Sequence, residues 1–194
     1  MTATMPRVVA LAASAGGLHA ISEVLGGITP EFPVPIVVLQ HLHPEHTSHL
    51  TEILRRRTRL DVRVAESGEY LQAGIVYVAP RNCHLLISPD HRFVLSSDPL
   101  VHFVRPSADR LFASIADAYE KGAIVVVLSG SGSDGESGTR AVKAHGGIVI
   151  AQDEATSEHF SMPSAAIRTG SVDFVLPLSD IASCLLGLVS QRTA

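Results

Sequence analysis

Residues 7–17 read RVVALAASAGG, and this stretch decides the fold. Its first part, RVVALA at 7–12, is apolar without alternation, as expected of a strand buried on both faces of a parallel sheet. A serine and a glycine pair then lead into a helix-like stretch at 17–25. Three further runs have the same character: VPIVVLQ at 34–40, AIVVVLS at 123–129 and GIVIAQ at 147–152. Helical patterns at 46–57, 107–121 and 135–145 lie around them. Strand-helix alternation of this kind predicts an α/β fold: a doubly wound, mostly parallel sheet flanked by helices on both faces.

The middle of the chain departs from that rhythm. The runs IVYVA (75–79), HLLIS (84–88) and HRFVLS (91–96) are separated only by Pro80–Asn82 and Pro89–Asp90. So little chain leaves no room for crossover helices, which predicts an antiparallel β-hairpin at one edge of the sheet. A strand at 173–176 and a helix from Ser179 to Ser190 complete the pattern. No linker, repeat or low-complexity tract divides the chain, so residues 1–194 are expected to form a single domain.

Composition narrows the function classes. A net charge of -4 gives no electrostatic case for nucleic acid. Two isolated cysteines, Cys83 and Cys184, suggest neither a disulfide framework nor a four-ligand zinc site. No segment reaches the roughly 18 to 20 apolar residues of a membrane span. The N-terminal apolar run is only of strand length and lacks a basic flank for a signal peptide. A soluble cytoplasmic protein is expected.

Three residues stand where strand ends should place chemistry. Ser14 follows the first strand and precedes Gly16 and Gly17, a turn like a nucleophile elbow with Ala12 at its first glycine position. The competing reading is a helix N-cap. His41 ends the second strand in VVLQHLHPEH and suits a general base. With His43, His46 and His49 it also forms a histidine cluster, but no carboxylate-rich partner motif supports a metal. Asp134 lies in VVVLSGSGSDGESG after the third long strand, placed to orient a histidine or to cap the next helix. Gly130, Gly132 and Gly135 give that loop inward N–H groups, suited to an oxyanion or a phosphate. The Lys-Ser/Thr pair of a P-loop is missing.

Taken in order, AASAGG (12–17), QHL (40–42), GIVYVAP (74–80), HLL (84–86), RPSADRLFASIA (105–116), LSGSGSDGESG (128–138), GGIVIAQDEAT (146–156) and SMPSAAI (161–167) resemble the catalytic domain of the chemotaxis protein-glutamate methylesterases, the CheB family. The resemblance runs from Val8 to Leu188. It implies Ser14 as nucleophile, His41 as base and Asp134 as orienting acid, with no metal or organic cofactor. It further implies hydrolysis of glutamate γ-methyl esters on chemoreceptor-type helices through an acyl-serine, and deamidation of glutamines. Ala15, Ser131 and Gly132 are the site-loop candidates for an oxyanion hole, and Tyr77, Arg105 and Met162 those for lining the cleft. Gln152, Asp153, Met162 and Pro163 read as loop supports.

Several departures qualify the match. Ala12 and Ala15 replace Gly and Thr of the usual G-x-S-T-G-G pattern, and Ser131 replaces a Met. The catalytic motif begins within the first turn of sequence, so a stand-alone domain without the family's receiver domain is expected. Regulation then falls to a separate regulatory or sensor protein. QHLHPEH resembles the branch fused to methyltransferase and sensor modules, which leaves open another methylated protein or a small ester as substrate. A non-catalytic interaction module is the remaining alternative. The RRRTR run at 55–59 reads as a solvated helix end or as a surface for an acidic helix.

Overall fold

A computed structural model describes residues 7–41 and 49–190. Strand β1 (Val8–Ala13) leads into α1 (Gly17–Gly26), and β2 (Ile36–Gln40) is followed by α2 (Leu50–Arg57). Next come β3 (Asp61–Val64), β4 (Ile75–Val78), β5 (His84–Ile87) and β6 (Phe93–Ser96). The second half contains α3 (Ala108–Tyr119), β7 (Ala123–Val127), α4 (Glu136–Ala144), β8 (Ile148–Gln152), α5 (Ser161–Arg168), β9 (Phe174–Leu176) and α6 (Leu178–Ser190). No helix among the described residues is long and apolar enough to cross a membrane.

Seven strands form one parallel sheet in the order β3-β4-β2-β1-β7-β8-β9. Side chains of β1 alternate between two cores, as the strand pleat requires. Val9, Leu11 and Ala13 face the helices α1, α2 and α6, while Val8, Ala10 and Ala12 face α3, α4, α5 and the β5-β6 hairpin. Both faces are covered, which explains why the central strands read as unbroken apolar runs.

Helix α3 shows how sequence sets this packing. Ser107 caps it by accepting from the Arg110 N–H, and Leu111, Phe112, Ile115 and Ala116 repeat at helical spacing on its buried side. Helix α4 comes close to it at Gly138, where a Cβ would meet Phe112 Cβ at 2.6 Å.

The antiparallel hairpin is present as a separate two-stranded ribbon, β5 with β6, with no backbone pairing to the large sheet. Its Leu85, Ile87 and Phe93 are buried in the core that also contains α3. The run at 75–79, grouped with the hairpin by its spacing, instead supplies β4, a parallel strand between β2 and β3. Strand β3 escapes the sequence pattern because it is an edge strand, DVRV, with Val62 alone buried.

Candidate functional site

Strand order builds the site. The chain leaves β1 toward β2 on one side and later returns to β7 on the other, so the switch of direction falls at β1. Open α/β sheets bind their ligands outside the strand ends at such a switch. Ser14 follows β1, His41 follows β2, and Asp134 lies in the loop after β7. The register aligns them: Ala13 pairs with Gln40, and Ala12 with Val127. The His41 N–H donates to the Ala13 carbonyl at 3.0 Å, and the Ser14 N–H to the Ser129 carbonyl at 3.0 Å.

Ser14 is not a helix cap. The N-cap of α1 is Gly16, in the left-handed region at φ 75°, and no side chain caps this helix. A Cβ on Gly16 would meet Ser129 Oγ at 2.7 Å and Glu158 Cβ at 2.8 Å, so this turn admits only glycine. No hydrogen bond among the described residues occupies the Ser14 hydroxyl. Its carbonyl accepts from Gln40 Nε2 at 2.6 Å and from the Gly17 N–H at 2.9 Å. Gln40 thus fastens the turn to the strand that carries His41.

His41 Nε2 donates to Asp134 Oδ2 at 2.9 Å, with the two side chains 9% and 4% exposed. That bond commits Nε2 and leaves Nδ1 as the ring nitrogen available to accept a proton. Asp134 also accepts from Ser107 Oγ at 2.8 Å, the Ala108 N–H at 2.6 Å and the Asp109 N–H at 3.1 Å. Burial pushes its pKa up, but the hydrogen bonds from His41 and from the Ala108 and Asp109 N–H groups outweigh that and hold it below the usual value. Asp134 does not cap the helix that follows it, α4, whose N-cap is Gly135 without a side-chain bond. It binds the N-terminus of α3, where the dipole favours a carboxylate.

Asp109 makes the reverse connection. Its Oδ1 accepts from the Gly135 N–H at 3.0 Å and the Gly138 N–H at 2.8 Å, at the start of α4. Ser107, Asp109 and Gln40 are the residues that sequence reasoning missed. RPSAD and QHL did mark their positions, but only the fold brings their polar groups to Asp134 and Ser14.

The remaining candidates separate. Met162 is buried, and its sulfur lies against Gly130, beside Ser14. It stands on α5 with Pro163, whose missing N–H is harmless in a first helical turn. Gln152 bridges Ser129 N–H and the Thr156 carbonyl, both at 2.8 Å, and Asp153 accepts from the Thr156 N–H and hydroxyl. The Gly132 N–H is spent on Ser161 Oγ at 3.2 Å. No hydrogen bond among the described residues engages the N–H of Ala15 or of Ser131.

Arg105 is tied to Asn82 Oδ1 and to the carbonyls of Ser97 and Asp98, and it lines a small recess with Gln40. Tyr77 corrects the expectation of a cleft residue. It is fully buried on β4, with its ring against Phe93 and its hydroxyl bonded to the Gln72 N–H and the Tyr70 carbonyl. The β4 register turns it into the core beneath the hairpin.

His43 and His46 lie outside the described residues, and His49 pairs with Glu52 on the surface of α2. Cys83 and Cys184 are free, half-buried thiols whose pKa values burial pushes up, which makes both poor nucleophiles. A groove of about 500 Å³ opens from Ser14 between α1 and α2.

Ser14, His41 and Asp134 thus bring a hydroxyl, an imidazole and a buried carboxylate to three neighbouring strand ends of an α/β scaffold, the kinds of group that serine hydrolases employ. The chain matches the CheB methylesterase family over residues 9–185 and belongs to that family. It is 42% identical over 186 residues to the protein-glutamate methylesterase/protein-glutamine glutaminase of group 3 operon of Rhizobium meliloti, covering 96% of this chain and 52% of that protein. It is 40% identical over 178 residues to the protein-glutamate methylesterase FrzG of Myxococcus xanthus, covering 92% of this chain and 53% of that one. The chain therefore spans about half the length of these two relatives, whereas a Leptospira interrogans relative, 38% identical, is covered over 93% of its length. The crystal structure of the Thermotoga maritima CheB methylesterase catalytic domain superposes with a TM-score of 0.91 at 35% identity, covering 94% of this chain and 98% of that one.

Proposed function

We propose that this chain is a cytoplasmic protein-glutamate methylesterase that hydrolyses γ-methyl esters of a chemoreceptor-type protein and deamidates its glutamines. The His41–Asp134 pair, buried beside Ser14 at adjacent strand ends, carries this reading. The names of the Rhizobium and Myxococcus relatives support the substrate class.

In the mechanism, Ser14 Oγ attacks the γ-carbonyl and its proton passes to His41 Nδ1. Asp134, hydrogen-bonded at Nε2, holds the ring and stabilises the imidazolium. The N–H groups of Ala15 and Ser131, neither hydrogen-bonded among the described residues, receive the developing oxyanion. Collapse breaks the C–O bond, and the proton from His41 leaves with methanol; a glutamine substrate releases ammonia instead. Water, deprotonated by His41, then attacks the acyl-Ser14 and frees the carboxylate. In unliganded sites the serine–histidine hydrogen bond is often long and tightens on substrate binding.

The test is methanol release from a methylated receptor cytoplasmic fragment. Ser14→Ala should lower turnover by about four to six powers of ten if the three residues act as a unit. Retention of most activity removes Ser14 from the reaction.

A further inference from the structure

The groove that opens from Ser14 has opposite charges at its two ends. Leu18 and Ser22 of α1 form one wall, and Ile53 and Arg57 of α2 form part of the other. Each pair is four residues apart, so each wall advances by about 6 Å, one helical turn, and the Arg57 carbonyl lies beside Gly26, at the end of α1 away from Ser14. Glu158 stands at the Ser14 end, with its carboxylate against Gly16.

Within the RRRTR run, structure singles out one arginine. Arg55 Nε is bound to the Val62 carbonyl at 2.8 Å. Arg57 is exposed, lines the groove, and its guanidinium has no hydrogen bond or ion pair among the described residues. A guanidinium without a partner in a groove is matched to a carboxylate, which it can hold by two parallel hydrogen bonds. At the other end Glu158, 3.6 Å from His159 Nε2, offers a free carboxylate no cationic partner of its own while the neutral ester is tolerated there, so an acidic segment is directed toward Arg57.

Resting on the methylesterase reading, we infer that Arg57 is a specificity residue: it binds a free carboxylate of the substrate protein one to two helical turns from the esterified glutamate. The ester sits at Ser14 and the acidic flank runs down the groove between α1 and α2. Single exposed ion pairs are weak, so the effect is a preference within one substrate class.

Helical peptides carrying one γ-methyl glutamate test this, with Glu or Lys seven residues away on the same face. Binding to Ser14→Ala protein is read by fluorescence anisotropy, and hydrolysis by the wild type is read as kcat/KM. Binding is expected to be about fivefold to tenfold tighter for the Glu peptide, with the difference shrinking at high salt. Arg57→Glu should reverse the preference toward the Lys peptide, a gain that a misfolded protein cannot produce. Equal binding of the two peptides, or a preference that Arg57→Glu leaves in place, overturns the inference. Charge-dependent binding without any hydrolysis by the wild type would keep Arg57 as a docking residue and reject the esterase reading instead.

Discussion

Asp109 and Asp134 cap each other's helices. The Asp109 N–H, in the first turn of α3, donates to Asp134 at 3.1 Å, while the Asp109 carboxylate accepts from Gly135, the residue after Asp134, at 3.0 Å. Each carboxylate thus compensates the helix N-terminus on the far side of the contact. The position of Asp134, and through it of His41, depends on α3 and α4 remaining docked.

Asp109→Ala should therefore reduce kcat more than KM, because the substrate groove is left intact while the acid that orients His41 is loosened. Two N–H groups at the start of α4 lose their acceptor, a cost of about 1–3 kcal/mol in urea unfolding. Asp109→Asn retains an acceptor oxygen and should recover most of both losses. Burial, followed by the charge of Asp134, raises the pKa of Asp109. A raised carboxyl pKa favours folding at low pH and loses that contribution as pH rises through the folded value. The stability difference should accordingly shift in favour of the Asn variant as pH increases from about 4 to 7. An unchanged kcat in Asp109→Ala would reject the positioning role.

Asp134 has the opposite linkage. Its pKa is held below the ordinary value, so its contribution is complete above the unfolded pKa and disappears as pH falls through the lower folded value. Asp134→Asn should be less stable than wild type at pH 7, and the two should converge below about pH 4. Parallel stability curves from pH 7 to 3 would contradict the hydrogen-bonded, ionised state of this carboxylate.

The apolar runs gave away the parallel sheet because strands buried on both faces leave little freedom in sequence, as VVALAA and AIVVV show. That Ser14, His41 and Asp134 lie at neighbouring strand ends was legible for a related reason, since each follows such a strand or lies in the loop after it. Other parts were hidden by context. Tyr77 has a side chain suited to a cleft, and only the register of β4 turns it inward. DVRV at β3 has too few buried positions to stand out, and the proline in SMPSAAI masks the start of α5. Ser107 and Asp109 reach Asp134 across 27 and 25 residues of chain, a relation no local pattern encodes.

Tyr77→Phe tests the corrected placement of that residue. Its hydroxyl joins the Gln72 N–H to the Tyr70 carbonyl, so the variant should lose about 0.5–1.5 kcal/mol of stability. Because the ring lies beneath the hairpin, kcat and KM should match the wild type in the methanol assay. A clear rise in KM would return Tyr77 to the cleft.

Gly130 is tightly packed between Ser14 and Met162. A Cβ there would lie 2.3 Å from Met162 Sδ and 3.0 Å from Ser14 Cβ, so Gly130→Ala must displace one or both. Overpacking of this kind costs about 1–3 kcal/mol. Movement of Ser14 should also lower kcat about tenfold or more, given how steeply rates depend on geometry near 1 Å. Met162→Ala, destabilising by itself, removes the sulfur that the new methyl meets. The double variant should then be more stable than the sum of the single losses by about 1 kcal/mol, measured by a urea double-mutant cycle. Additive losses would show that the methyl is accommodated by the loop and not by the Met162 side chain. Recovery of stability without recovery of kcat would assign the catalytic loss to the Ser14 contact, because that contact remains when the sulfur is gone.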